Sequence, residues 1–304
     1  MSSDPKPINR RAGHRPEWLK VRVPGDVQRL PVARLMNDLA LNTVCQEARC
    51  PNIFECWSAG TATFMILGDI CTRRCTFCAV GKGKPLSPDG DEPRRVAAAV
   101  AAMNARHVVI TMVNRDDLAD GGAAQVVATI AAVRELTGAT IEILISDLQG
   151  NPDALRTVLA ARPEVFAHNV ETIPRLYPQV RPVAKYLRSL DILRWAHEER
   201  FDGMLTKSSI MLGLGENEGE VLAVAAELRK NGVDIFTLGQ YLAPTGDHHP
   251  VRRYYTPAEF DELGRSAKEL GFHHVESGPL VRSSYMAHRA VESTAQHAAR
   301  SLSR

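Results

Sequence analysis

No cysteine occurs before residue 45 or after residue 78 of the 304-residue sequence, although six fall between them. That confinement excludes the disulfide framework of a small secreted domain, whose bridges would be spread through a shorter chain. Long apolar runs are missing too: none approaches the ~18 residues that a membrane-spanning helix needs. The first thirty residues hold no apolar h-region, and Asp4 and Glu17 argue against a transit peptide. The sequence therefore reads as that of a soluble, cytoplasmic protein with no membrane partner. Charge of one sign is nearly balanced. Lys+Arg 37 against Asp+Glu 35 leaves +2, too little for binding dominated by nucleic-acid phosphates. At 44% hydrophobic, the composition is that of a globular chain able to bury a core, which excludes disorder as the main state.

The six cysteines form two triplets, Cys45-x4-Cys50-x5-Cys56 and Cys71-x3-Cys75-x2-Cys78. Positions 71, 75 and 78 would share one face of a helix, yet Thr72, Arg73, Arg74 and Thr76 are poor neighbours for a buried stripe. A closed structural zinc site wants four ligands, usually in C-x2-C pairs, and fits two triplets badly. Three thiolates suit a [4Fe–4S] cluster that keeps one iron free of cysteine, because four cysteines are the usual complement. Two triplets with no spare cysteine predict two such clusters, each with one special iron.

From about residue 61 apolar runs alternate with helical patterns. Strands are expected at Thr61–Leu67, His107–Met112, Thr140–Ile145, Val165–Asn169, Met204–Leu212 and Asp234–Leu242. Helices are expected near Arg94–Asn104, Ala123–Thr137, Pro152–Ala161, Ala184–Glu199 and Glu218–Asn231. Strand-then-helix order argues for parallel pairing by right-handed crossovers. Six repeats are too few for an eight-fold barrel, so the expected fold is an α/β partial (β/α)6 TIM-like barrel, with the active face at the carboxyl ends of its strands. The second triplet falls on the loop after the first strand, at the barrel mouth. Residues 1–60 read as an N-terminal extension carrying the first triplet, 61–243 as the barrel, and 244–304 as a C-terminal extension.

The segment Cys71-x3-Cys75-Thr76-Phe77-Cys78, after a first barrel strand, resembles the radical S-adenosylmethionine (SAM) superfamily. Together with Cys45-x4-Cys50-x5-Cys56, the loop Arg115–Gly122, the stretch Asn169-Val170-Glu171-Thr172 and the tail Arg282-Ser283-Ser284-Tyr285-Met286-Ala287, it resembles the lipoyl synthase family, over residues 40 to 290 or so. The resemblance implies insertion of two sulfur atoms, at C6 and C8, into an octanoyl chain carried on a lysine of a lipoyl carrier domain. It implies two [4Fe–4S] clusters and SAM as cofactors. Cys71, Cys75 and Cys78 would hold the cluster that reduces SAM. Cys45, Cys50 and Cys56 would hold an auxiliary cluster that is itself the sulfur donor, with Ser284 as its fourth, displaceable ligand. The implied partners are octanoylated carrier domains of 2-oxoacid dehydrogenase complexes and the glycine cleavage H protein, an electron donor such as ferredoxin or flavodoxin, and iron–sulfur carrier proteins. The reaction is suited to such cofactors, because the octanoyl carbons have no acidified hydrogen and a carbon radical must be made first.

Asp120, Gly121 and Gly122, after the second strand, are candidate SAM contacts, with a turn or helix cap as the bland alternative. Glu171 is a candidate for the ribose hydroxyls beside Asn169, and Gly213-Leu214-Gly215 for the adenine. A hard serine oxygen is a poorer match for iron–sulfur than thiolate, and Arg282 beside it would stabilise the alkoxide. Ser283 is an alternative ligand that spacing alone does not separate from Ser284. His248 and His249 read as solvated loop residues, and His168 as a hydrogen-bonded barrel residue. Arg10, Arg11, Arg15, Lys20, Arg73, Arg74, Lys82 and Lys84 read as a solvated basic face, able to steer an acidic carrier domain. Two rival readings remain: a methylthiolating or biotin-forming sulfurtransferase, and a non-catalytic zinc or iron–sulfur protein.

Overall fold

The computed structural model describes residues 15–21 and 25–287; Arg10 and Arg11 lie outside the described residues. The strands, in chain order, are β1 (Asn42–Thr43), β2 (Thr63–Ile66), β3 (Ile70–Cys71), β4 (Gly81–Lys82), β5 (His107–Met112), β6 (Thr140–Leu144), β7 (Val165–Ala167), β8 (Leu205–Leu212), β9 (Ile235–Gln240) and β10 (His274–Gly278). Eight of them form one sheet in the order β1-β2-β5-β6-β7-β8-β9-β10, and β3 pairs with β4 apart from it. Pairing is parallel from β2 to β10, and only β1 runs antiparallel, on β2.

The helices are α1 (Pro31–Asp38), α2 (Val44–Glu47), α3 (Ile53–Ser58), α4 (Glu92–Ala102), α5 (Ala123–Leu136), α6 (Pro152–Ala160), α7 (Tyr177–Val180), α8 (Tyr186–Glu198), α9 (Glu218–Lys230) and α10 (Pro257–Glu269). Helices α4, α5, α6, α8, α9 and α10 fill the crossovers between successive parallel strands. The inner strands of the main sheet are buried almost throughout, Thr63–Ile66 and Ile235–Gln240 at every position, because helices cover the sheet. The helix starts have local causes. Asn217 and Glu220 form a reciprocal capping box on α9, as Thr256 and Glu259 do on α10, and α4, α6 and α10 have proline in their first turn.

The α/β architecture matches expectation, with one correction: among the described residues the main sheet has seven parallel strands, not six. The seventh, β10, pairs with β9 from His274↔Ile235 to Gly278↔Gly239. It belongs to the segment read as a tail because His-Val-Glu-Ser-Gly carries a single buried apolar residue, Val275. The helix before it, α10, was not among the expected elements either; it starts at the Thr256–Glu259 capping box. At the opposite edge, β1 carries the N-terminal segment onto the sheet. Both flanking segments are thereby joined to the strands that line the site.

Candidate active site

Beyond β2, Leu67 and Gly68 adopt positive φ (70° and 89°) and turn the chain into the first-cluster loop. Cys71 pairs with Lys82 in the short β3–β4 ladder, and no helix forms between residues 72 and 79, so the three thiols are not a helical stripe. The loop is tied to several barrel loops. Thr72 Oγ1 donates to Asn114 O at 3.0 Å and accepts from Asp116 N at 3.1 Å. Thr76 N donates to Val180 O at 2.9 Å, while Thr76 O accepts from His249 N at 2.9 Å. His248 Nε2 reaches Cys78 O at 3.2 Å; a carbonyl only accepts, so this nitrogen carries the proton.

Arg73 corrects the sequence reading. It is 3% exposed rather than part of a solvated face. Its guanidinium grips Asp116 by two bonds of 2.7 and 2.8 Å, and Asp147 at 2.5 Å. Its backbone N–H points at Cys71 Sγ, 3.4 Å away. The His248–His249 pair is also corrected. His249 is buried, with Nε2 3.0 Å from Leu214 O, so the His248 ring and the His249 backbone brace the loop while the His249 ring is tied to the chain after β8. His168 behaves as expected, bonded through its ring nitrogens to Ile145 O and Ser189 Oγ, both at 2.9 Å.

Cys45 lies in the first turn of α2, capped by Thr43, and Cys56 lies in α3. Cys50 sits between the helices, its N–H bonded to Cys45 O at 3.0 Å. Trp57, 1% exposed, anchors α3 in the core. The thiols of each triplet interact with one another: Cys45 with Cys50, Cys56 with both, Cys75 with Cys71, and Cys78 with both. Burial raises Cys45, Cys50 and Cys75, and burial reinforced by neighbouring thiols pushes Cys56 and Cys78 up to about 12. Such thiols need a cationic partner to exist as thiolates, which is what iron provides. All six are free. Among the described residues no three His, Cys, Asp or Glu side chains converge tightly enough to hold one metal ion. A closed zinc site would require that; a cubane, which places each thiolate on a different iron, does not.

The tail enters this arrangement by a backbone-to-backbone contact. Chain 278–285 crosses β9 at Gly239, docks by Asn52 Nδ2 donating to Leu280 O at 2.7 Å, and is met by Tyr285 Oη on Glu55 Oε1 at 3.2 Å. Ser284 Oγ lies 2.8 Å from Thr63 Oγ1, and both residues line a cavity with Cys45. Arg282 sits close enough to Cys50 to favour its thiolate.

Five of the six thiols, Cys45, Cys50, Cys71, Cys75 and Cys78, line one cavity of about 520 Å³ together with Ser284; Cys56 is not among its lining residues. Asn169, Glu171 and Arg282 line it as well, together with apolar Met65, Met112, Leu144, Ile210 and Met211. Glu171 is held at φ 64°, an unusual conformation for a non-glycine residue, between Ser209 and Met211 of β8. Burial raises its carboxyl, opposed by Arg181, and Asn169 Nδ2 donates to it at 3.1 Å.

Asp120, Gly121 and Gly122 do not line this cavity. Asp120 accepts from Gly122 N at 2.9 Å and Ala124 N at 2.8 Å, capping α5, and a Cβ on Gly122 would strike Leu67 Cδ1 at 2.5 Å. These glycines serve packing and the turn. Gly213-Leu214-Gly215 is likewise spent internally, its three N–H groups donating to the Glu216 carboxylate at 2.5–3.0 Å. Arg181 is the residue that sequence reading missed. It is buried, donates to Asn169 O and Val170 O at 3.0 and 3.1 Å, and lies beside Cys75 and Glu171.

Four cavity residues have buried polar atoms without a protein partner: Arg73 Nη1, Asn114 Oδ1, Asn169 Oδ1 and Arg181 Nε. Orphaned groups cost free energy when buried unless a ligand satisfies them. The donor set therefore fits a polar, charged molecule against the first triad, and two thiol-bound clusters around it.

This sheet, with a C-x3-C-x2-C loop after its first parallel strand, is that of a radical SAM protein, and the sequence pattern of the Radical SAM superfamily matches residues 65–228. Among solved structures, Streptococcus suis SuiB bound to S-adenosylmethionine superposes with TM-score 0.53 at 12% identity, over 80% of this chain and 57% of that one. Methylornithine synthase superposes with TM-score 0.51 at 14% identity, over 82% and 83% of the two chains. These likenesses concern the fold. Sequence relatives are more specific. Lipoyl synthase of Rubrobacter xylanophilus is 57% identical over 91% of this chain and 87% of its own length. That of Chloroflexus aurantiacus is 53% identical over 93% and 92%. The chain belongs to the lipoyl synthase family.

Proposed function

We propose that this chain inserts two sulfur atoms, at C6 and C8, into an octanoyl group carried on a lysine of a lipoyl carrier domain. The supporting observation is that thiols of both triplets and the tail serine border a single cavity that also has an apolar stretch of wall at Met65, Met112, Leu144, Ile210 and Met211. When bound, the clusters and SAM supply the electron, the radical and the sulfur for C–H bonds that no base reaches. Cys71, Cys75 and Cys78 hold the first cluster and leave one iron open for SAM. Asn169 and Glu171 orient SAM through its hydroxyl and amino groups, and Arg181 offsets negative charge beside Cys75. Cys45, Cys50, Cys56 and Ser284 hold the second cluster, the serine oxygen being the displaceable member. Arg282 offsets charge beside Cys50. Met65, Met112, Leu144, Ile210 and Met211 receive the acyl chain and exclude water.

The partners follow from this reading: octanoylated carrier domains, a low-potential electron donor such as ferredoxin or flavodoxin, and iron–sulfur carriers. Free thiols and oxygen-sensitive clusters suit the reducing cytoplasm. Anaerobically reconstituted protein, incubated with octanoylated carrier domain, SAM and a reductant, is expected to give carrier in which two sulfurs have replaced two hydrogens. Methionine and 5′-deoxyadenosine should accompany it. SAM cleavage without sulfur on the carrier would point instead to a methylthiolating or biotin-forming sulfurtransferase.

A further inference from the structure

The hydroxyl of Thr63 donates to Ser284 Oγ at 2.8 Å, linking residues 221 positions apart. The same residue lines the cavity together with Cys45 and Ser284. Thr63 begins β2, which lies between β1 and β5, and it is 7% exposed. A β-branched side chain in a central strand has little rotameric freedom, so the hydroxyl stays where the sheet aims it. It carries one proton. That proton is given to Ser284 Oγ, and an oxygen bearing negative charge is the stronger acceptor for it.

We propose that Thr63 is the positioning residue for the serine ligand: its hydroxyl holds Ser284 Oγ beside Cys45 and, by donating to that oxygen, weakens the oxygen's bond to iron so that it can be displaced. The inference rests on the assignment of Ser284 to the second cluster. Its consequence has a sign that a purely structural role would not share. Removing the donor should strengthen the serine–iron bond, whereas loosening the fold would weaken it.

The test uses the full chain, reconstituted anaerobically, as Thr63→Val, Thr63→Ala, Thr63→Ser and Ser284→Ala. The readouts are the Mössbauer signature of the auxiliary cluster and the rate of iron release to a chelator, with single-turnover sulfur insertion beside them. Thr63→Val, which keeps the shape without the donor, is expected to release auxiliary iron about tenfold more slowly and to slow sulfur insertion by a similar factor, as loss of one hydrogen bond to a charged group would do. Thr63→Ala should change both rates in the same direction, and Thr63→Ser should restore them. Release that is unchanged or faster in Thr63→Val and Thr63→Ala overturns the proposal, as does a Thr63→Ser variant that behaves like Thr63→Val. An unaltered auxiliary signature in Ser284→Ala would instead overturn the ligand assignment itself, so the two failures are distinguishable.

Discussion

Gly239 and Val281 are in backbone contact: a Cβ built on Gly239 would lie 2.0 Å from the Val281 carbonyl oxygen and 2.9 Å from its carbon. No side chain fits there, so the returning tail is laid directly on β9, three residues before Ser284. A Gly239→Ala substitution is therefore expected to lift the tail and disturb the second cluster while sparing the first. Iron should fall from about eight to about four per chain after anaerobic reconstitution, with 5′-deoxyadenosine still formed.

The two triads should separate under mutation. Cys75→Ala is expected to abolish 5′-deoxyadenosine formation and leave the auxiliary cluster in place. Cys50→Ala should retain SAM cleavage but transfer no sulfur. If both variants lost SAM cleavage equally, with the first cluster assembled, the proposed division of labour would be wrong.

Arg73 braces the first-cluster loop against the loops after β5 and β6. Its partner Asp147 is fully buried and is held at about 2: burial raises the carboxyl, but hydrogen bonding and charge from Arg73 outweigh it. Arg73→Met would leave that carboxylate only the Arg188 guanidinium at 3.4 Å and the Gln149 N–H at 3.1 Å. The expected cost is about 3–5 kcal/mol of stability in chemical denaturation. Arg73→Lys, which keeps charge but not the fork, should lose less.

His168 links stability to pH. Burial, reinforced by Arg181, lowers it from 6.5 to about 4. The native ring thus stays neutral while the unfolded chain takes up a proton below its ordinary value. Stability from this group should be undiminished above pH 6.5 and fall as pH drops toward 4, by about 3 kcal/mol in all. His168→Asn should be less stable at pH 7 but show a flatter profile over that window, measured by denaturant midpoints.

Arg15, Arg49 and Lys82 line the cavity with few acids among them. If they steer an acidic carrier domain, raising ionic strength from about 0.01 M to about 0.15 M, where screening shortens to ~8 Å, should raise KM for the carrier and leave kcat unchanged. A KM insensitive to salt would remove steering from the account.

Much of the barrel was legible because its signals are local. Strands such as His107–Met112 and helices such as Ala123–Leu136 are continuous apolar or periodic segments bounded by turns. The strand β10 was hidden because an edge strand needs few apolar residues. At Asp120–Gly122 a capping turn and a ligand loop use the same residue types, and only the structure shows the Asp120 carboxylate accepting from Gly122 N and Ala124 N. Likewise, no pattern in β6 or β8 announces that Glu142 and Lys207 pair inside the sheet at 2.8 Å.

Residue identity and spacing alone settled the number of thiol triplets, their likeness to one family, and the alternation of strand and helix, since each depends on neighbours along the chain. Tertiary structure alone decided that Arg73 is a buried clamp, that Arg181 stands beside Cys75, and that Thr63 meets Ser284. Those contacts join residues tens to hundreds of positions apart. They arise from how a twisted parallel sheet and a returning tail pack, and side-chain packing leaves no periodic trace in the chain that encodes it.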